Sequence, residues 1–297
     1  MKNYILGIDV GGTNVKLGLL DARGKVVARG HLSTVEFTKN KQQLIRAMAD
    51  GVVQLLAAHK IPIRQLQGIG MGLPGLIDFN QGKVIFLPNI PGWRNVPLKK
   101  IFERQLQVPT FIENDVNLMA LGEWQFGAGR SYQNLLCLTL GTGVGGGLIL
   151  DGKIYRGEGF AAGELGHMPL NEEGPACNCG GFGCFERYVG NRTLQARAAE
   201  IFRRDDITLE EVSRLAAAGD KTALAFWDEV AVKIGNGLVG IVNLLNPRCL
   251  VIGGGVANSH RFLFATITKT IRSRAMPFST SRRHMASEMV TTRSKGW

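Results

Sequence analysis

"GIDVGGTNVKLGLLD", Gly7–Asp21, is the stretch on which the fold turns. "YILGIDV", from Tyr4, reads as a short strand that ends at Gly11, Gly12 and Thr13. "VKLGLLD" follows as a second strand, and "KVVARGHL" as a third after the turn at Ala22, Arg23 and Gly24. Connections this short favour antiparallel hairpins. Asp9 stands at the end of the first strand. The glycines after it let the backbone approach an anion and point successive N–H groups at it, and Thr13 adds a hydroxyl donor. Asp9 suits Mg²⁺, directly or through water, because Mg²⁺ prefers carboxylate and phosphate oxygens. The stretch is neither a P-loop nor a dinucleotide fingerprint: no Lys-Ser/Thr pair follows, and a strand rather than a helix comes next. A plain hairpin turn would account for the glycines equally well.

The opening pattern returns in the second half. "LLCLTLGTGVGGGLILDGKIY", 135–155, reads as strand, glycine turn, strand, turn, strand, with the glycine turn at Gly141, Thr142 and Gly143. "CLVIGGGVA", 249–257, is a strand entering a third glycine turn that includes Gly254 and Gly255. Helical spacing of Leu44, Met48, Val52, Leu55 and Leu56 marks a helix after the first strand trio, and further helices run over 222–246 and 260–275. The expected architecture is α/β: two similar βββαβα domains with a cleft between them, residues 1–117 and 118–297. Three glycine turns at strand ends, taken together, suit the phosphates and nucleoside of ATP.

Carboxylates and amides gather elsewhere. "FIENDVN", 111–117, sets Asn114 and Asp115 just after a strand. A carboxylate there can accept a hydroxyl proton as that oxygen attacks a γ-phosphate, and Asn114 can donate to and accept from a sugar hydroxyl. Either residue could equally cap the helix that follows. "GELGH" places Glu164 three residues before His167, and "GCFE" places Glu186 two after Cys184. Acids and amides in one cleft suit a polyol; as isolated groups they would be solvated.

"ACNCGGFGCFE", 176–186, holds three of the chain's five cysteines. His167, Cys177, Cys179 and Cys184 form a four-ligand set of sulfur and nitrogen donors suited to tetrahedral Zn²⁺. Four protein ligands leave no open position, so such a metal is structural. A disulfide is disfavoured in a cytoplasmic chain. Cys-x-Cys differs from the common Cys-x₂-Cys spacing. Cys137 and Cys249 lie in apolar strands and read as core.

Together these motifs closely resemble the ROK family (repressors, open reading frames, sugar kinases), in order from residue 4 to about 275. "PNIPGWRNVPL", 88–98, is similar to the substrate-side segment of that family's bacterial glucokinases. The resemblance implies an actin-like ATPase (ribonuclease H-like) fold, a homodimer or tetramer, and MgATP-dependent phosphorylation of a hexose, most often at O6. It implies Asp115 as the base and Asn89, Asn114, Asp115, Glu164, His167 and Glu186 on the sugar. It implies His167, Cys177, Cys179 and Cys184 on zinc. Asp9, Gly11, Gly12, Thr13, Gly141, Thr142 and Gly143 fall to Mg²⁺ and the phosphates, and Gly254 and Gly255 to the nucleoside. The family's repressors carry a helix-turn-helix ahead of the first glycine turn; with that turn beginning at Asp9, none is expected here. Residues 278–297, "STSRRHMASEMVTTRSKGW" from 279, read as neither the strand nor the Ala/Gly-rich helix with which the family usually ends, so the tail is atypical.

Composition narrows the alternatives. The chain has 297 residues, 45% of them hydrophobic and 20% charged, which is a folded composition. No run of 18 apolar residues and no signal peptide appear, so a cytoplasmic protein without a membrane partner is expected. Net charge is +11, but six basic residues against one acid fall after residue 271. The remainder is ordinary for a solvated surface, and no nucleic-acid partner is expected. The expected activity is glucose phosphorylation to glucose 6-phosphate. The alternatives are a kinase for N-acetylmannosamine or another hexose, and a non-catalytic sugar-responsive regulator.

Overall fold

The computed structural model describes residues 3–34, 37, 40–87, 92–277 and 288–291. It divides into two units: Met1–Leu118 with Arg156–Ala161, and Met119–Tyr155 with Ala162–Trp297. The segment Arg156–Ala161 thus groups with the first unit, although it lies within the 118–297 range of the expected second domain.

In the first unit β1 (Tyr4–Val10) pairs antiparallel with β2 (Asn14–Asp21), and β2 with β3 (Val26–Ser33). Helix α1 (Lys41–Ala58) starts at Asn40, whose side chain accepts from the Gln42 and Gln43 amides, and it buries Leu44, Met48, Val52, Leu55 and Leu56. Strand β4 (Leu66–Leu73) returns parallel to β1. A small antiparallel sheet follows, β5 (Leu76–Asp78), β6 (Lys83–Phe86) and β7 (Arg94–Val96). Helix α2 (Leu98–Leu106) leads into β8 (Thr110–Asn114), parallel to β4, and α3 (Asp115–Phe126) begins at once. The main sheet runs β3-β2-β1-β4-β8.

The second unit repeats this order. Strand β9 (Leu135–Leu140) pairs antiparallel with β10 (Val144–Leu150), and β10 with β11 (Lys153–Tyr155). Helices α4 (Glu186–Val189), α5 (Asn191–Phe202), α6 (Leu209–Ala217) and α7 (Lys221–Leu245) precede β12 (Cys249–Gly253). After α8 (His260–Arg274), strand β13 (Glu288–Thr291) pairs parallel with β12, giving β11-β10-β9-β12-β13. The central strands are covered on both faces: every residue of β12 is buried, as a near-continuous apolar run requires.

Strand β13 corrects the sequence reading of the tail. Four of its residues continue the sheet. Val290 and Thr291 are β-branched, and an edge strand needs only a few such residues, too few to show a period of two.

Helix α7 also positions the cysteine loop. Gly237 lies against the Phe185 ring, and a Cβ there would sit 2.6 Å from it. The missing side chain is thus the notch that seats Phe185, which is fully buried between Cys184 and Glu186. Among the described residues no helix is long and apolar enough to cross a membrane.

Candidate functional site

The site residues divide between the two units, and each group is built by its own sheet. In the first unit the chain reverses between β1 and β2, where the Gly11 N–H donates to the Asn14 carbonyl at 2.8 Å. Buried Thr34 braces this turn: its hydroxyl donates to the Gly12 carbonyl at 2.8 Å and its N–H to the Thr13 carbonyl at 2.9 Å. Gly12 and Thr13 are exposed, and among the described residues their amides have no hydrogen-bond partner. Asp9 stands at the edge of the turn. Surrounding protein atoms push its carboxyl above the ordinary range although much of its surface is open to solvent, and Lys16 opposes the shift.

The β8–α3 junction carries the other polar group of this unit. Asn114 Oδ1 accepts from the Val116 and Asn117 amides at 2.9 and 3.1 Å, and Asn114 Nδ2 donates to the Gly75 carbonyl at 3.1 Å. Asn114 is therefore the cap of α3, which leaves one amide proton for any other partner. Asp115, the first residue of the helix, is half-buried, and its Oδ1 accepts from the Val116 amide at 2.9 Å. Asn89 lies outside the described residues.

In the second unit the turn Gly141–Gly143 joins β9 to β10. It is braced from two sides: the Val144 N–H donates to Glu186 Oε2 at 2.9 Å, and the Asn191 N–H donates to the Gly141 carbonyl at 2.8 Å. Glu186 thus ties the cysteine loop to a glycine turn, a link that spacing alone did not suggest. The third turn packs alongside. Gly254 has φ +86°, and a Cβ there would meet the Leu140 carbonyl at 2.4 Å, so only glycine fits. Gly255 opens a short 3₁₀ helix, Gly255–Ser259.

The cysteine loop closes on itself. Ala176 bridges to Phe182 and Pro169 to Cys184 as isolated antiparallel pairs. The ligand atoms of His167, Cys177, Cys179 and Cys184 all lie within 4.8 Å of one another. Cys179 Sγ is 3.6 Å from Cys184 Sγ, and Cys177 Sγ is 3.7 Å from His167 Nδ1. A tetrahedral site with Zn–S bonds of about 2.3 Å has edges of about 3.8 Å, so donor chemistry and spacing both fit zinc. The thiols differ in environment. The Gly181 N–H holds exposed Cys179 down to about 7, whereas burial pushes Cys184 up to about 12. The opposite ring nitrogen of His167, Nε2, lies 3.9 Å from Glu164 Oε2. Cys137 and Cys249 are fully buried in β9 and β12.

A family model described as ROK family matches residues 5–294. The chain belongs to the ROK family. The match extends past residue 275 and takes in β13. A glucokinase of Halalkalibacterium halodurans is 36% identical over 92% of this chain and 87% of that protein. A xylose repressor of Bacillus spizizenii is 31% identical over 92% of this chain and 70% of that protein. A solved ROK family glucokinase from Streptomyces griseus, in complex with glucose and AMPPNP, superposes with a TM-score of 0.80 at 29% identity, covering 98% of this chain and 95% of that one. The fold is the actin-like ATPase fold of the ROK sugar kinases, and the kinase relatives support hexose phosphorylation.

Proposed function

We propose that the protein transfers the γ-phosphoryl group of ATP to a hexose, glucose before other sugars, giving glucose 6-phosphate and ADP. In this reading Asp115 is the general base. It takes the proton from the sugar O6 as that oxygen bonds to the γ-phosphorus, while the bond from phosphorus to the bridging oxygen breaks and ADP leaves. Asn89, Asn114, Glu164, His167 and Glu186 hold the remaining hydroxyls. The turns Gly11–Thr13 and Gly141–Gly143 offer backbone amides to the phosphates, and Gly254 and Gly255 face the nucleoside. Asp9 would hold Mg²⁺, which when bound would neutralise charge on the phosphates. His167, Cys177, Cys179 and Cys184 would hold a structural Zn²⁺ that stiffens the loop carrying Glu186.

The observation that carries this reading is Asp115, a half-buried carboxylate at the first residue of α3, in a chain that aligns with glucokinases over nine-tenths of its length. Coupled ADP release measured over a panel of hexoses tests it. Glucose is expected to give the highest kcat/KM, and a higher value for N-acetylmannosamine would move the assignment to that sugar. Asp115→Ala should lower kcat by about 10²–10⁴-fold with unchanged thermal unfolding. No turnover of any hexose would sink the proposal.

The repressor relative supports a second reading, a sugar-responsive regulator. A gel-shift at physiological salt distinguishes it, because non-specific attraction of the basic tail fades there.

A further inference from the structure

We infer that Arg156 is a positioning residue for Asp115, acting through the buried carboxylate of Glu113. The inference rests on the proposed role of Asp115 as base. Glu113 precedes the Asn114-Asp115 pair, and only 3% of it is exposed. It is a hub. Oε1 accepts from the Asn114 N–H at 2.9 Å and from Asn117 Nδ2 at 3.1 Å, and Oε2 accepts from Arg156 Nε at 2.6 Å. Asn117 is itself buried, and among the described residues its Oδ1 has no partner, so its side chain hangs on Glu113. The Arg156 guanidinium stacks 4.1 Å over the Phe79 ring, which fixes the plane of the fork. Among the described residues Arg156 is the one cation in salt-bridge range of Glu113.

A buried ion pair is poor evidence for stability, because a well-packed apolar pair often serves as well. This pair does something an apolar one cannot. It keeps an ionised acceptor pinned beneath the Asn114 amide, one residue before the base. Without Arg156 the buried carboxylate loses the one cation that pins it and turns toward water. That movement loosens the Asn114 N–H and the Asn117 side chain together. The first turn of α3 then shifts, and Asp115 with it. A misplaced base slows the chemical step and leaves ATP binding intact, since the Gly11–Thr13 turn is built on a different strand pair.

The experiment is steady-state kinetics on variants of the full chain, each with its thermal midpoint. Arg156→Met is expected to lower kcat up to about 100-fold, with KM for ATP within about twofold of the parent. Adding Glu113→Gln removes the stranded charge, while the amide oxygen still accepts from Asn114 and Asn117, so the double variant should recover most of the lost kcat. Full activity of Arg156→Met, a loss that falls on KM, or a folded double variant no better than the single one would each overturn the inference. Should Arg156→Met fail to fold, Arg156→Lys carries the same comparison: the charge remains but the stacked fork is lost. A partial fall in kcat is then expected, and parental kcat overturns it. Asp115→Asn in the same assay separates the two ideas. Retained turnover there removes the base assignment. A dead Asp115→Asn beside a fully active Arg156→Met removes only the positioning role.

Discussion

The two units share one strand order, yet their first hairpin turns are held by different means. The β1–β2 turn is braced by the neutral hydroxyl and amide of Thr34, at the far end of its own three-stranded meander. The β9–β10 turn is braced by a carboxylate, Glu186, at the start of α4, and by the first amide of α5, both in the segment that follows β11. The topology is duplicated and the chemistry is not. The first turn is a local structure that depends on a hairpin. The second depends on a loop organised by three thiols and an imidazole. Four substitutions turn that contrast into measurements.

The largest effect is expected from the cysteine loop, because no counterpart of it exists among the described residues of the first unit. Elemental mass analysis should find one zinc per chain, and Cys184→Ser should abolish it. Cys184, Phe185 and Glu186 are consecutive, so loss of the metal frees Glu186 from Val144 and loosens the second turn. Turnover is expected to fall about 10–100-fold, with a lower thermal midpoint. A zinc-free parent with full activity would show that packing of Phe185 against Gly237 is enough to hold the loop.

The braces themselves can then be cut one at a time. Glu186→Ala removes a charged acceptor from the Val144 amide, an interaction of about 1.5–3 kcal/mol, together with a proposed sugar ligand. KM should rise roughly tenfold or more for both substrates. Thr34→Val preserves shape and deletes one neutral hydrogen bond, about 1 kcal/mol, so KM for ATP should rise by about fivefold and that for sugar should not move. Equal responses, with each substrate varied in turn, would mean that the two turns are equivalent and the contrast is empty.

Much of this contrast was legible in the sequence, and some of it was not. The strand trios were visible because short apolar runs end on glycine turns, and α1, α7 and α8 because their apolar faces keep a helical period. Asp115 and the four metal-type ligands stand in motifs short enough to read without coordinates. What stayed hidden depends on distance along the chain. Thr34 lies 21 residues beyond Thr13, Arg156 lies 43 beyond Glu113, and Glu186 lies 42 beyond Val144. No periodicity links such pairs. The small sheet of β5, β6 and β7 was missed because its strands are too short to alternate, and β13 for the same reason. At Asn114 the sequence left two roles open, and the hydrogen bonds to Val116 and Asn117 show the cap.

The smallest expected effect concerns the glycine turn of the first unit. Asp9 has a raised carboxyl, mainly through desolvation, with Lys16 opposing it. The folded chain therefore keeps this proton to higher pH than the unfolded chain does. Its contribution to stability is present below the ordinary carboxylate range and is lost as pH rises through the raised value. Above that window the ionised group is a net cost to the fold. Asp9→Asn should accordingly raise the thermal midpoint slightly at pH 7 and leave it unchanged near pH 3, where both chains are neutral at this position. Activity should move the other way, with a higher Mg²⁺ requirement, because an amide is a poorer partner for the ion. Stability lost at an exposed strand end for the sake of an ion is the pattern expected of a functional turn. The second turn, which Glu186 braces through one oxygen, should show no such trade. Should Asp9→Asn melt lower than the parent at pH 7, Lys16 outweighs desolvation and the carboxylate is part of the hairpin's own structure.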